Sequence, residues 1–168
     1  MSAMLENKNL KPTLSLRPMQ VEDLDAIMAI EPTIYSHPWT RGNFSDSLNF
    51  GYSSWVLEDN SLGNSGKIIG YALLMMVLDE AHLLNLSVAK HMQKQGLGRY
   101  LLEHMLKIAK NYKATNLFLE VRPSNIAAIV LYENAGFAEI AVRRGYYPAD
   151  LKTSKSDRED ALLMGLAL

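Results

Sequence analysis

The pattern of hydrophobic and polar positions near the start of the chain predicts one strand followed by two helices. Residues 14–17 alternate between apolar and polar side chains like a short edge strand, and Pro18 ends it. Apolar residues then recur at helical spacing in the order Val21, Leu24, Ile27 and Met28. Thr40 can cap a second short helix that reaches Leu48, with Phe44 and Leu48 on one face.

Three strands are predicted next, over residues 52–58, 67–78 and 82–88. A stretch rich in Asn, Ser and Gly, residues 60–66, joins the first two strands, and Asp79 and Glu80 form a tighter turn before the third. We expect consecutive strands joined in this way to be antiparallel.

The remaining chain alternates between helices and strands. A helix that begins at Leu97 has one apolar face, which consists of Leu101, Leu102, Met105, Ile108 and Ala109. A strand over residues 116–122 follows, and then a helix over residues 126–134 that Asn125 caps and Gly136 closes with a left-handed backbone. Residues 137–144 and 161–168 form the last two strands.

The strand–helix–strand unit over residues 82–122 predicts a right-handed parallel crossover within an otherwise antiparallel sheet. We therefore expect an α/β protein, with a mixed sheet and helices on both faces. At 168 residues the chain has the size of one domain, which we place at residues 14–168, after a loose leader over residues 1–13.

Composition excludes several classes of function. The net charge of −1 gives no general attraction to nucleic acid or to an anionic membrane, and the longest apolar run, residues 71–78, is far shorter than the roughly 20 residues of a membrane span. The chain has no cysteine, which excludes disulfides, thiolate metal sites and a cysteine nucleophile and fits a cytoplasmic location. The four histidines lack the spacing of metal ligands, so we expect no metal.

The stretch Gln93–x–x–Gly96–x–Gly98 lies where a loop becomes a helix. Exposed backbone N–H groups and the helix dipole favour a phosphate or pyrophosphate there, although an ordinary tight strand-to-helix turn would have the same pattern. Leu101 stands where a dinucleotide-binding loop would have its third glycine, and no Gly-Lys-Ser/Thr follows, so a Rossmann or P-loop interpretation fails.

Glu120 is a carboxylate within a strand that we expect to be covered on both faces. Burial would raise its proton affinity towards the range of a general base, and the alternative is a salt bridge to Arg122 or Arg143. On the following helix a face is formed by Asn125, by Ala128 or Ile129, and by Tyr132. These residues could line a ligand site, although such a tyrosine is also common in a core.

Taken together, the loop, the carboxylate and the tyrosine resemble the GCN5-related N-acetyltransferase (GNAT) family, over about residues 14–168. The segments that carry the likeness are residues 93–99, 119–122, 124–125, 131–133, 136–137 and 144–148. The resemblance implies the GNAT fold, a mixed and mostly antiparallel sheet of about six or seven strands. In that fold acetyl-CoA lies between two splayed parallel strands at the centre of the sheet.

The resemblance also implies roles for individual residues. Glu120 would be the proton acceptor and Tyr132 the proton donor, while backbone N–H groups around Val88 would stabilise the oxyanion. The implied contacts to acetyl-CoA are Leu86, Ser87, Val88, Lys94, Gln95, Gly96, Leu97, Gly98, Arg99 and Asn125. No metal takes part.

Within the family, the same segments together with Pro38, Trp39 and residues 158–161 resemble bacterial members that acetylate the N-terminal alanine of ribosomal small-subunit protein eighteen. This likeness implies that protein as the partner, direct attack in a ternary complex, and a monomer or weak dimer without nucleic-acid or membrane partners. A related enzyme for other protein N-termini or for a small amine is the alternative. A non-catalytic acyl-CoA-binding module is a further alternative, against which the presence of both Glu120 and Tyr132 argues.

The chain departs from this pattern in two places. Its leader before Leu14 is longer, and an insertion over residues 151–156 lengthens the loop after Pro148. Because that loop lies near the expected entrance for a peptide, the departures bear on peptide selectivity. We expect selectivity to come from Pro38 and Trp39, from residues 146–148 and from the lengthened loop.

Overall fold

The computed structural model describes residues 13–149 and 158–168. The insertion over residues 151–156 lies outside the described residues. So does the leader, except for Thr13, whose carbonyl accepts a hydrogen bond from the Asn60 N–H at 2.8 Å.

The elements of the described chain follow the predicted order. The strands are β1 (Leu14–Pro18), β2 (Ser53–Asp59), β3 (Lys67–Val77), β4 (Glu80–Val88), β5 (Asn116–Val121), β6 (Ala138–Tyr147) and β7 (Glu159–Ala167). The helices are α1 (Leu24–Ile34), α2 (Arg41–Asn49), α3 (Leu97–Asn111) and α4 (Ile126–Asn134). The longest of these helices, α3, has 15 residues, and no described helix has the length and apolar composition needed to cross a membrane.

All seven strands join one sheet in the order β1-β2-β3-β4-β5-β7-β6. Every neighbouring pair is antiparallel except β4 and β5, which are parallel as predicted. This parallel pairing stops at Leu83 opposite Leu119, although β4 continues to Val88. The register of β4 against β3 shifts at the same point, because Leu74 pairs with Leu83 and Leu73 with Asn85, which leaves Leu84 as an extra residue. Such a bulge bends its strand, and β4 diverges from β5 beyond it.

Helices cover both faces of the sheet. In β3, Ala72 and Leu74 belong to the cluster that contains side chains of α3 and α4, while Tyr71 and Leu73 pack with side chains of α1 and α2. Successive side chains of a strand point to opposite faces, so the two helix pairs lie on opposite sides. The expected architecture is confirmed.

The local signals also agree with the sequence, with one exception. Thr40 caps α2 by accepting the Asn43 N–H at 3.2 Å, and Gly136 follows α4 with a φ of +98°. Val21, however, does not belong to the apolar stripe of α1. It lies in a 3-10 turn before the helix and is 54% exposed.

Candidate functional site

The divergence of β4 from β5 opens a cavity of about 340 Å³. Its walls come from the end of α1 and the loop after it, from both diverging strands, from the start of α4 and from the end of β6. The lining residues are Glu31, Tyr35, His37, Trp39, Leu83, Leu84, Asn85, Leu86, Leu119, Glu120, Val121, Arg122, Asn125, Ala128, Tyr132, Tyr147 and Pro148. Four of the predicted catalytic and acetyl-CoA-binding residues, namely Leu86, Glu120, Asn125 and Tyr132, are therefore brought together.

The end of β4 presents backbone groups towards this cavity. The Ala89 N–H donates to the Ile69 carbonyl of β3 at 2.8 Å, so Ala89 and Ser87 turn their backbone groups towards β3. Because these directions alternate along a strand, Leu86 and Val88 turn theirs towards the gap that β5 has left. The Ser87 side chain is 2% exposed and bonds to buried neighbours, so among the three predicted contacts in β4 it is the one directed away from the gap.

The loop before α3 lies outside the cavity lining and follows the end of β4 at Val88. The Gln93 side-chain amide donates to the Val88 carbonyl at 3.0 Å and so ties the loop to the end of β4. Gly96 has a φ of +81° and Lys94 a φ of +61°, both in the left-handed region. The first helical N–H that has an acceptor is that of Tyr100, which donates to the Gly96 carbonyl at 3.1 Å. Within the described chain, the N–H groups of residues 97–99 have no acceptor.

The side chains of this loop divide between the core and solvent. Leu97 is 6% exposed and packs with Val88, so only its backbone can reach a ligand. Arg99 is exposed and forms an ion pair with Glu103, at 2.9 Å. Lys94, Gln95 and Gly96 are exposed. The loop therefore offers backbone donors and exposed cationic side chains at its surface.

Glu120 combines the two interpretations that the sequence left open. Its carboxylate lines the cavity and also forms a salt bridge with Arg143, with 3.2 Å between Oε1 and Nη1. The side chain is 24% exposed, which is less buried than a fully covered strand would make it. Tyr146 lies close by, and its pKa is raised by burial and then by the Glu120 charge. Burial and the same charge raise the pKa of Tyr147 to about 12.

Tyr132 belongs both to the core and to the cavity. It is 8% exposed, and its ring lies 5.7 Å from that of Phe137. Burial raises the pKa of Tyr132 above that of free tyrosine, so its hydroxyl stays protonated at neutral pH. One helical turn earlier on this face, Ala128 leaves open space, and the Asn125 side chain caps α4 by accepting the Ala128 N–H at 3.3 Å.

Arg122 fastens the end of β6 over the cavity. Its Nη1 donates to the Pro148 carbonyl at 2.9 Å and to the Glu159 carboxylate at 3.1 Å, and its guanidinium lies 4.4 Å from the centre of the Tyr147 ring. The other Glu159 oxygen accepts the Ser124 N–H at 2.8 Å.

Residues 158–160 form hydrogen bonds with the backbone near the same end of β6. Arg158 donates to the carbonyls of Gly145 and Tyr146 at 2.7 and 2.8 Å, and Asp160 accepts the Gly145 N–H at 2.8 Å. The polar residues of this short motif therefore hold the tyrosine-containing wall in place.

Four cavity residues that carry polar groups were missed in the sequence: Glu31, Tyr35, His37 and Asn85. Glu31 and Asn85 each interrupt an apolar pattern, which was the available signal. Glu31 lies seven residues after Leu24 on the buried face of α1, and Asn85 stands within the apolar strand β4. Among the described residues no group of three or more His, Asp or Glu side chains could hold a metal ion.

Comparison with known proteins identifies the family. The sequence profile of the Acetyltransferase (GNAT) family matches residues 24–137. The chain is 39% identical over 150 residues to the ribosomal protein bS18-alanine N-acetyltransferase of Escherichia coli K12, which covers 89% of this chain and 95% of that protein.

Solved structures agree with this match. The crystal structure of the ribosomal-protein-S18-alanine N-acetyltransferase from Escherichia coli has a TM-score of 0.80 at 38% identity and covers 92% of this chain and 93% of that one. Arabidopsis thaliana NAA60 in complex with acetyl-CoA has a TM-score of 0.82 at 21% identity, covers 93% and 99% of the two chains, and shares the fold. The chain therefore belongs to the GNAT family of acetyltransferases.

Proposed function

We propose that this protein transfers the acetyl group of acetyl-CoA to the N-terminal amine of ribosomal protein bS18, at its alanine. The observation that carries the proposal is the divergence of β4 from β5, because the resulting cavity contains a carboxylate, Glu120, and a protonated phenol, Tyr132. The names of the Escherichia coli relatives support the choice of acceptor. A ribosomal acceptor also makes the cytoplasm the expected location.

The residues at the two ends of the gap suit acetyl-CoA. Free N–H groups at the start of α3 and the positive end of its dipole would hold the pyrophosphate, with Lys94, Gln95 and Arg99 at the rim. The outward backbone groups of Leu86 and Val88 would bond to the amides of the pantetheine arm, as a neighbouring strand would. The remaining proposed contacts come from the backbone of residues 96–98 and from the exposed Asn125 amide. Ser87 is not among them, because its backbone groups and its buried side chain face away from the gap.

The carboxylate of Glu120 would act as the proton acceptor. An N-terminal amine has a pKa of about 8, so at neutral pH it is mostly protonated and a poor nucleophile. Glu120, directly or through one water, takes a proton from the ammonium group. Arg143 keeps the carboxylate in position at the mouth of the cavity, through the salt bridge at 3.2 Å.

Tyr132 would act on the leaving group. Bound acetyl-CoA supplies the acetyl thioester, whose carbon forms a bond to the amine nitrogen while its bond to sulfur breaks. Backbone N–H groups around Val88 stabilise the negative charge on the carbonyl oxygen. The hydroxyl of Tyr132 donates its proton to the sulfur, and the second proton that the nitrogen loses as the amide forms restores this hydroxyl, directly or through water. Burial raises the pKa of Tyr132, so the hydroxyl is protonated at the start of the reaction.

Mass spectrometry of bS18 after incubation with this protein and acetyl-CoA tests the proposal. We expect the mass to increase by one acetyl group on the N-terminal residue. Two matched controls are bS18 with a blocked N-terminus, which should give no product, and the Glu120→Gln variant, which should give the product about 100-fold more slowly. Modification of lysine side chains alone, or of unrelated amines alone, would exclude the proposed acceptor and leave the fold assignment unchanged.

A further inference from the structure

Glu31 is a buried carboxylate in the last turn of α1, and the mechanism above gives it no role. It is 1% exposed, it lines the cavity, and no described lysine, arginine or histidine forms a salt bridge with it. An ionised group in such surroundings is costly, and an apolar side chain of the same size would stabilise the fold at least as well. Its presence there therefore calls for a reason other than stability.

Hydrogen bonds from separate elements converge on this carboxylate. Oε1 accepts the backbone N–H of Trp39 at 3.0 Å, and Oε2 accepts the hydroxyl of Tyr71 at 2.5 Å. Burial raises the pKa of Glu31, while Tyr71, Trp39 and the nearby Asn85 side chain oppose that shift. Glu31 thus joins the loop between α1 and α2 to β3, and it lies beside Asn85 of β4.

Two of these residues lie at places that shape the cavity. Trp39 lines the cavity, where the sequence predicts that it contributes to selectivity for the acceptor, and its ring lies 5.1 Å from that of Phe44. Asn85 directly follows Leu84, the bulge residue at which β4 leaves β5. A change at Glu31 would therefore alter both the position of Trp39 in the cavity wall and the point where β4 diverges from β5.

The hydrogen bonds continue from Asn85 along β4. The Ser87 hydroxyl donates to Asn85 Oδ1 at 2.7 Å and is 2.8 Å from the Tyr35 hydroxyl, which donates to the Leu86 carbonyl at 3.2 Å. Burial raises the pKa of Tyr35 to about 12, so this hydroxyl remains a donor at neutral pH. The network supports the part of β4 that has lost its neighbour β5.

From these contacts we infer that Glu31 is a positioning residue, which fixes the Trp39 loop against the bulge of β4 and thereby sets the affinity for the acceptor amine. This inference rests on the proposed function and deepens it. Glu31 acts through Trp39 and Asn85 and transfers no proton. Its loss therefore affects the KM for the acceptor more than kcat or the KM for acetyl-CoA.

Two substitutions separate positioning from proton transfer. Glu31→Leu keeps the volume but removes both acceptor oxygens, and it should raise the acceptor KM by about tenfold, the effect of one or two lost hydrogen bonds. The KM for acetyl-CoA should change less than the acceptor KM, because the phosphate loop is made by other elements and the end of β4 that faces the pantetheine stays paired with β3. Glu31→Gln keeps an oxygen for the Trp39 N–H, and it should restore the acceptor KM and the wild-type pH profile.

Tyr71→Phe provides a second route should Glu31→Leu fail to fold. Tyr71 does not line the cavity, so this variant removes the hydrogen bond to Glu31 without changing a residue that could contact a ligand. We expect a rise of several-fold in the acceptor KM. An unchanged acceptor KM in a folded Glu31→Leu or Tyr71→Phe variant would overturn the inference. So would a Glu31→Gln variant that loses turnover, since that would make Glu31 a proton carrier.

Fluorescence gives a readout that does not depend on the acceptor. In a Trp55→Phe background Trp39 is the remaining tryptophan of the chain. Acrylamide should quench Trp39 more strongly in Glu31→Leu than in Glu31→Gln, because the loop is released only in the first variant. Equal quenching in the two variants would refute the positioning role. A wild-type protein without activity on bS18 would refute the proposed function instead, and the quenching comparison would still decide the role of Glu31.

Discussion

Replacing Gly96 by alanine tests whether the start of α3 binds the phosphates of acetyl-CoA. Gly96 has a φ of +81°, and a Cβ placed there would have no atom within 4 Å. The substitution therefore causes no clash, and its cost is the backbone strain of a left-handed residue, about 1–2 kcal/mol. For a chain of this size, a loss of about 1 kcal/mol lowers Tm by about 2–4 °C.

Gly51 offers a matched control in the turn between α2 and β2. It has a φ of +74° and also has no atom within 4 Å of an added Cβ, so Gly51→Ala should lower the stability by a similar amount. It lies outside the phosphate loop and the cavity lining, and its substitution should leave ligand binding unchanged. The two variants therefore share the strain and differ in its location.

Acetyl-CoA binding, measured by calorimetry, then distinguishes them. In free Gly96→Ala the strain is relieved when the loop turns its N–H groups away from the phosphates, so that binding has to restore the strained backbone. A loss of about 1.4 kcal/mol in binding corresponds to a Kd about tenfold higher. Gly51→Ala should bind acetyl-CoA like the wild type. A wild-type Kd in Gly96→Ala, together with the expected drop in Tm, would refute a phosphate site at this loop.

Three further predictions follow from the site and its surroundings. Glu120→Gln and Tyr132→Phe should each lower kcat on an N-terminal alanine peptide by about 100-fold while acetyl-CoA still binds, and unchanged turnover in both would make the assignment wrong. Arg122→Lys keeps the charge but loses the planar guanidinium that bonds to Pro148 and Glu159 and stacks on Tyr147. In steady-state assays the KM for the peptide should therefore rise, while acetyl-CoA binding should change little. Burial, and then the charge of a nearby lysine, lowers the pKa of His104 below 6.5. The unfolded chain therefore takes up a proton more readily, and the free energy of unfolding should fall as the pH drops below 6.5. Urea unfolding on either side of that pH should show this slope in the wild type and a smaller slope in His104→Phe.

The sequence alone predicted the order of the elements, because each one carries a local signal. The period of the apolar residues distinguishes strands from helices, and caps such as Thr40 and Gly136 mark where helices begin and end. The glycines before α3 similarly predicted a turn with free N–H groups. Val21 was misassigned because a 3-10 turn and an α-helix have similar apolar spacing over a few residues.

The tertiary structure decided what the cavity contains. Whether Glu120 is isolated or paired depends on Arg143, which lies on another strand, and no local pattern reports that distance. The bulge at Leu84 depends on the register between β3 and β4, which the sequence does not specify residue by residue. Glu31, Tyr35 and Asn85 come from two elements and form one network only because α1 packs over the end of β4. Periodicity along a chain determines which face a residue takes, whereas a site is made of residues distant in sequence, and only packing brings those together.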